Sequence, residues 1–304
     1  MLEVETQPHP KNVYPLDRLL EAFLDEQAYR GNSAQTVEWY RKVFRLLEAE
    51  GVRNTAQLTR EAVIRFIASA RSRGLSGATV RNYDRALRVA LNWMYHNGYL
   101  EHNPIKGLPR PKDKAEQVKP FTLDEVERIL QAAKTTRCPL RDTALVLTLL
   151  DTGIRAGEAC GLTLKDIDWR EGLLRVVGKT GERTVPFGQR CKRALHAYLD
   201  RERRAPHPDV RHVFLASGNP FSPTVLNTTV TRLVRRAGIK RPKAGPHTLR
   251  HTFAVEFLRA GGDVFTLQRI LGHRKLEITQ GYVNLLTDDI RSAHRRFSPV
   301  DRLL

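Results

Sequence analysis

Cysteine is scarce in this sequence. Cys138, Cys160 and Cys191 are odd in number and far apart, and none belongs to a Cys-x-x-Cys pair. That count excludes a disulfide framework and a cysteine-rich zinc site, and it fits a reducing, cytoplasmic setting. No apolar run approaches the ~20 residues of a membrane helix. The first residues, Met1-Leu-Glu-Val-Glu-Thr, are not those of a signal peptide. Acidic residues are also in deficit: 33 Asp+Glu face 51 Lys+Arg among 304 residues, a net charge of +18. Such an excess points to a polyanionic partner, because Lys and Arg that neutralise phosphates release counterions on binding. An anionic membrane surface would also explain the charge. The arginines are spread along many segments and not gathered in one amphipathic helix, which favours nucleic acid over membrane.

The length predicts about two domains on a rough scale of 100–200 residues each. Between Asn103 and Pro120 stand Pro104, Pro109, Pro111 and Pro120 among mostly polar residues, a composition that discourages helix. The expected organisation is therefore an N-terminal domain over 1–112, a linker over 113–120 and a C-terminal domain over 121–304. Both parts are basic, with 17 Lys+Arg against 12 Asp+Glu up to residue 112 and 34 against 21 beyond it.

Apolar spacing predicts helices throughout the first part. One spans Leu16 to Tyr29. A second follows the capping residues Asn32 and Ser33 and carries Val37, Tyr40, Phe44 and Leu47. A third, from Arg60 to Arg73, has Val63, Ile64 and Ile67 as its stripe. A fourth starts near Ser76 with Val80, Tyr83, Leu87, Leu91 and Met94 on one face and Arg81, Arg85 and Arg88 on the other. Four short-linked amphipathic helices suggest a small bundle, and the arginine stripe is either a solvated face or a DNA contact.

The second part is also mainly helical. Thr122 and Glu125 form a capping-box signature ahead of a helix from Leu123 to Ala133. A strongly apolar helix over Asp142 to Asp151 is expected to be buried. Leu173 to Val177 and Thr184 to Phe187 read as strands around a polar turn, Lys179 to Arg183. Helices over Arg190–Arg203, Asn227–Ala237, Thr248–Ala260 and Val264–Leu271 follow, with a last one over Thr287–Arg296 before a short tail.

Two motifs are decoys. Gly178-Lys179-Thr180 imitates the end of a phosphate-binding loop, but the required glycine five places earlier is Leu173. His247 and His251 are four apart, as in a zinc protease, but the general-base glutamate is replaced by Thr248.

Three further segments carry chemistry. In Gly245-Pro-His-Thr-Leu-Arg-His, Pro246 starts a helix and puts His247 and Arg250 on one face near its N-terminus, a cradle suited to phosphate. Arg155 sits in a glycine-flanked turn, Asp151-Thr-Gly-Ile-Arg-Ala-Gly-Glu158, between a buried helix and a short second one. Downstream, Leu271-Gly-His273 ends a helix, and Tyr282 follows nine residues later. Singly, each is also what ordinary packing produces.

In order along the chain, the set resembles the tyrosine recombinases, the phage-integrase family, in their Xer-type and mobile-element branch. The resemblance covers the whole chain. It implies a mainly α fold: a four-helix, SAM-like core-binding domain, then a mixed α catalytic domain with a small antiparallel β-sheet. Arg155 and Arg250 match the family's two arginines, Lys179 its hairpin lysine, His247 and His273 its histidines, and Tyr282 its nucleophile. Glu158 falls where the family has an acidic residue that supports the first arginine. Two departures stand out. Asn284 occupies a position that is often histidine, and the turn after Lys179 is about one residue short. Lys165 and Lys192 are poor substitutes for Lys179, since neither sits in a hairpin.

The resemblance implies a site-specific recombinase that cuts and rejoins double-stranded DNA through a 3′-phosphotyrosine and a Holliday junction. It would do so as a homotetramer, or as a heterotetramer with a related recombinase. No cofactor, metal ion or ATP is demanded, because side chains supply the positive charge. A type IB topoisomerase uses a similar constellation and is one alternative. A DNA-binding regulator without catalysis is the other.

Overall fold

The structure is a computed structural model that describes residues 13–112, 119–178, 181–241, 244–273, 275–283, 298 and 300. The chain divides into two compact units, Met1–Gln117 and Val118–Leu304.

The described part of the first unit is formed by α1 (Leu16–Tyr29), α2 (Ala34–Ala49), α3 (Arg60–Ser72) and α4 (Gly77–His96). Three of the four start on a hydroxyl cap: Ser33, Thr59 and Ser76 accept the backbone N–H groups of Thr36, Ala62 and Thr79. Phe23, Phe44, Phe66, Leu87, Leu91 and Met94 fill the core. The stripe on α3 differs from expectation. Ala62, Val63, Phe66 and Ala70 are buried, whereas Ile64 is 47% exposed. One residue of helix turns the chain by about 100°, so Ile64 cannot share the face of Val63 and Phe66.

The second unit holds α5 (Leu123–Lys134), α6 (Pro139–Thr152), α7 (Ala156–Gly161), a sheet β1 (Ile167–Asp168), β2 (Leu173–Gly178) and β3 (Gly181–Pro186), and α8 (Gln189–Arg201). A small hairpin β4 (Leu215–Ala216) and β5 (Asn219–Pro220) follows, then α9 (Pro223–Arg236), α10 (Pro246–Arg259), α11 (Val264–Leu271) and α12 (Leu276–Val283). The capping box of Thr122 and Glu125 is present. Helix α6 begins earlier than its apolar run because Pro139 is accommodated in its first turn. Its Ala144, Leu145, Val146 and Leu149 are fully buried.

The hairpin is tighter than the sequence predicts. β2 and β3 pair antiparallel as far as Gly178↔Gly181, so only Lys179 and Thr180 separate the strands. Arg183, expected in the turn, is instead a strand residue opposite Val176. The positive φ of Gly181, 111°, permits this early re-entry into the ladder. The expected helix over Thr287–Arg296 lies outside the described residues, as does Lys179.

Candidate strand-cleavage site

Five segments of the second unit meet at the site: the α6–α7 turn, the β2–β3 hairpin, the start of α10, the end of α11 and α12. Helix α6 ends on Gly153 in the left-handed region, φ 61°. A Cβ there would lie 2.4 Å from Phe253 Cδ1 and 2.8 Å from Leu271 Cδ2, so the turn needs glycine on both conformational and steric grounds. Two residues later Arg155 precedes α7 in extended conformation. Its backbone N–H and Nη1 both donate to the Glu158 carboxylate at 2.8 Å, and Nη2 reaches the Gly272 carbonyl at 3.4 Å. Its side chain stays 39% exposed, open to an incoming ligand.

Arg250 is more deeply set, 2% exposed. Nη1 donates to the Gly153 carbonyl at 2.6 Å and Nη2 to the Leu271 carbonyl at 2.8 Å. Nη2 also meets Nε2 of His273 at 2.9 Å, and His273 Nδ1 meets Thr279 Oγ1 at 2.9 Å. Burial and the nearby Arg155 push the Arg250 pKa below the usual guanidinium value, though the group stays protonated. Burial, then Arg250, Arg155, Arg183 and His247, lower His273 to about 4. His247 stands exposed on the first turn of α10. Partial desolvation, then Arg250 and Arg155, hold it below the ordinary imidazole value.

Tyr282 is 8% exposed and packs among Ala254, Val255, Leu258, Leu267 and Leu271. Its ring lies nearly parallel to that of His273, with centroids 6.3 Å apart, and 5.1 Å from the ring of His251. Burial raises the phenol above its ordinary value while Arg250 and Arg155 draw it down.

Glu158 lies under the arginines. Burial alone would push its carboxyl up, but hydrogen bonds from Arg183 and from the Arg155 backbone hold it at about 2. The structure thus brings Arg155, Glu158, Arg250, His273 and Tyr282 together, with His247 at the same helix start. Lys192, one of the weaker substitutes for Lys179, is engaged by the Trp169 carbonyl.

Three residues gain a place in the site only from the structure: Arg183, Thr279 and His251, the last read in the sequence only as half of the zinc-protease decoy. For Arg183 a signal exists, since it shares strand parity with the buried Val185. Thr279 and His251 are each one helical turn from a recognised residue, Tyr282 and His247.

In the first unit, Arg81 and Arg85 are exposed on α4. Arg88 does not join them. Its Nε donates to Asp84 at 2.8 Å and its Nη2 to the Leu108 carbonyl at 2.9 Å, because the buried Asp84 requires a cationic partner. A groove between α2 and α4 is lined by Thr36, Trp39, Tyr40, Asn82 and Arg85. Arg81 and Arg85 also border a hollow with Arg110, and Lys42 and Arg45 line a hollow on α2 with Trp39. Among the described residues no helix is long and apolar enough to cross a membrane.

Residues 119–288 match the model of the phage integrase family. The chain is 32% identical over 296 residues to the tyrosine recombinase XerC of Oceanobacillus iheyensis, covering 93% of this chain and 97% of that protein. It is 30% identical over 281 residues to XerD of Listeria monocytogenes, covering 89% and 94%. The integrase of the Tn1549 transposon, solved with a circular-intermediate DNA, shares the fold at a TM-score of 0.74 with 21% identity, over 87% of this chain and 94% of that one. With the integrase model spanning more than half of it and Xer recombinases aligned along nearly its full length, the chain belongs to the phage integrase family of tyrosine recombinases.

Proposed function

We propose that this recombinase cleaves and rejoins double-stranded DNA at a specific site through Tyr282. The observation that carries the reading is the convergence of Arg155, Arg250 and His273 beside the Tyr282 ring. Tyrosine is a weak nucleophile at neutral pH, with a reference pKa of about 10, and burial makes Tyr282 weaker still. The two guanidiniums fork onto the non-bridging oxygens of the scissile phosphate and offset charge as the phosphorus becomes pentacoordinate. In the free protein they rest on the carbonyls of Gly153, Leu271 and Gly272, contacts that a phosphate replaces. His247 takes the phenolic proton, and Lys179 protonates the departing 5′ oxygen. The Tyr282 oxygen–phosphorus bond forms as the phosphorus–O5′ bond breaks, leaving a 3′-phosphotyrosine and a 5′-hydroxyl. The ester keeps the bond energy, so a 5′-hydroxyl from a second duplex closes it without ATP.

Exchange in two rounds through a Holliday junction requires four subunits on two sites, as a homotetramer or with a related recombinase. The first unit would supply phosphate contacts through Arg81 and Arg85 of α4 and Lys42 and Arg45 of α2. The cysteines among the described residues are free, in keeping with a reducing cytosol.

Covalent trapping tests the reading. Nicked suicide duplexes with randomised arms are incubated with the protein, and denaturation-resistant complexes are sequenced. A band that survives EDTA, is absent in Tyr282→Phe and enriches one arm sequence is the expected result. Plasmid relaxation without recombinant product would indicate a topoisomerase, and specific binding without any covalent band a regulator.

A further inference from the structure

Arg183 is buried in the floor of the site, and the catalytic roles proposed above leave it without one. Its side chain is 11% exposed and shares strand parity with the buried Val185 of β3. Nη1 and Nη2 donate side by side to Oε1 and Oε2 of Glu158 at 2.9 and 2.8 Å, a bidentate fork. Nε donates to the Ile270 carbonyl at 2.6 Å, one of the last carbonyls of α11, which lack an intrahelical partner. The rest of the side chain lies against Gly272, where a Cβ would come within 3.1 Å of Arg183 Cδ, Nε and Nη1. Glu158, the other half of the pair, also holds the backbone and the guanidinium of Arg155. Its carboxylate lies against Gly178, where a Cβ would stand 2.5 Å from Oε1.

Three separate pieces of chain therefore meet at one ion pair: the β2–β3 hairpin, the turn that carries Arg155, and the end of α11 that carries His273. Each nitrogen of the Arg183 guanidinium donates to a protein partner. The side chain is also far less exposed than that of Arg155, 11% against 39%, so its role is to hold protein and not to receive the phosphate. The pair is neutral overall and adds no net charge to the anion site. Its contribution is to fix position, and a buried, bidentate guanidinium is suited to that because its donors lie in one rigid plane.

We propose that Arg183 is a positioning residue for strand cleavage, holding Glu158 and the Ile270–Gly272 segment so that Arg155 and His273 present their nitrogens to the scissile phosphate together. This rests on the assignment of Tyr282, Arg155 and His273 to DNA cleavage. Lysine at position 183 keeps the charge but cannot span both carboxylate oxygens and a carbonyl in one plane. A misplacement on the scale of an ångström costs about 100-fold in rate.

The test uses the full chain and the suicide duplex selected by trapping. Arg183→Lys, Arg183→Met, Arg155→Lys and the double variant Arg183→Lys/Arg155→Lys are compared in single-turnover cleavage at saturating DNA. Affinity is followed by gel shift and folded fraction by thermal unfolding. The expected result is a loss of about 100-fold for Arg183→Lys in folded protein, with affinity within about twofold of wild type. The loss in the double variant should fall well short of the product of the two single losses, since part of the effect of Arg183 passes through the Arg155 guanidinium. A merely structural residue would instead give losses that disappear on correction for folded fraction, or that multiply in full with those of Arg155→Lys. Either outcome, or wild-type cleavage by Arg183→Lys, overturns the proposal; the lysine variant carries the test if Arg183→Met does not fold. If the wild-type chain gives no Tyr282-dependent band, the cleavage assignment itself fails and the proposal falls with it.

Discussion

Arg250 donates through Nη2 to Nε2 of His273 at 2.9 Å. A guanidinium has no acceptor, so the imidazole nitrogen must be the acceptor and His273 is neutral in the free protein, its proton on Nδ1 facing Thr279 Oγ1. A neutral ring with Nε2 as acceptor cannot donate to a phosphate from that nitrogen. The free site is thus a resting arrangement that an entering phosphate has to reorganise, drawing Arg250 off the imidazole and favouring its protonation.

That arrangement has a measurable titration. His273 in the free protein is expected to titrate near pH 4, far below the ordinary 6.5, as followed by NMR of the ring carbons. The folded-state value is depressed, so the folded chain binds fewer protons than the unfolded one as pH falls from 6.5 to about 4. The stability tied to His273 is complete above 6.5 and declines through that window. Arg250→Met should move the titration upward, and a bound duplex should move it upward too. A His273 that titrates at 6.5 in the free wild-type chain would remove the Arg250 contact from consideration.

Glu158 gives the carboxylate counterpart. Its folded value of about 2 lies below the ordinary 4.5, so its stabilising effect is complete above 4.5 and is lost as pH falls toward 2. Acid unfolding of Glu158→Gln should therefore begin from a lower stability at neutral pH and show a shallower acid limb. Denaturant midpoints measured from pH 7 to pH 3 check this. Parallel curves for variant and wild type would mean that the carboxylate is not held as described.

The extent to which this site is legible in sequence follows from how local each signal is. Arg155 is bracketed by glycines, and His247 and Arg250 are tied by helical spacing behind Pro246; each stands out within ten residues. The capping box at Thr122 and the apolar faces of α1 and α4 are visible for the same reason, since caps and 3.6-residue periodicity need no distant partner. Arg183 is different. Its partners Glu158 and Ile270 are 25 and 87 residues away, and the reading of Lys179 to Arg183 as a turn hides its strand parity. Arg88 fails in the opposite sense. Its spacing puts it on the stripe of Arg81 and Arg85, but the buried Asp84 one turn earlier and the Leu108 carbonyl take its donors.

Glycine positions separate local from site effects. Gly153→Ala meets both a left-handed φ and the Phe253 ring, which together cost about 2–6 kcal/mol. Because the Gly153 carbonyl accepts from Arg250, cleavage should fall along with stability. Gly178→Ala presses on the Glu158 carboxylate and should slow cleavage with a smaller stability loss. Gly157, with nothing within 4 Å of its would-be Cβ, is the control. Alanine there should be neutral or stabilising by up to about 1 kcal/mol, since it lies within α7. Urea unfolding beside single-turnover cleavage distinguishes the three. Equal losses at Gly153 and Gly157 would contradict the packing described.

The arginines of α4 predict opposite signatures in DNA binding. Arg85 borders the α2–α4 groove and is exposed, so Arg85→Ala should weaken binding to all duplex sequences and lower the slope of log affinity against log salt by about one. Arg45→Ala, in the hollow that Trp39 and Lys42 line on α2, should behave alike. Arg88→Ala removes the partner of a buried carboxylate, a change expected to destabilise the first unit by about 3–5 kcal/mol and to leave the salt slope of the folded protein unchanged. Gel shifts over a range of salt concentrations, each variant beside its thermal unfolding curve, separate these outcomes. A reduced salt slope for Arg88→Ala with unchanged stability would reverse the assignment, because it would require the Arg88 guanidinium to leave Asp84 and the Leu108 carbonyl for a phosphate, stranding a carboxylate that is 5% exposed.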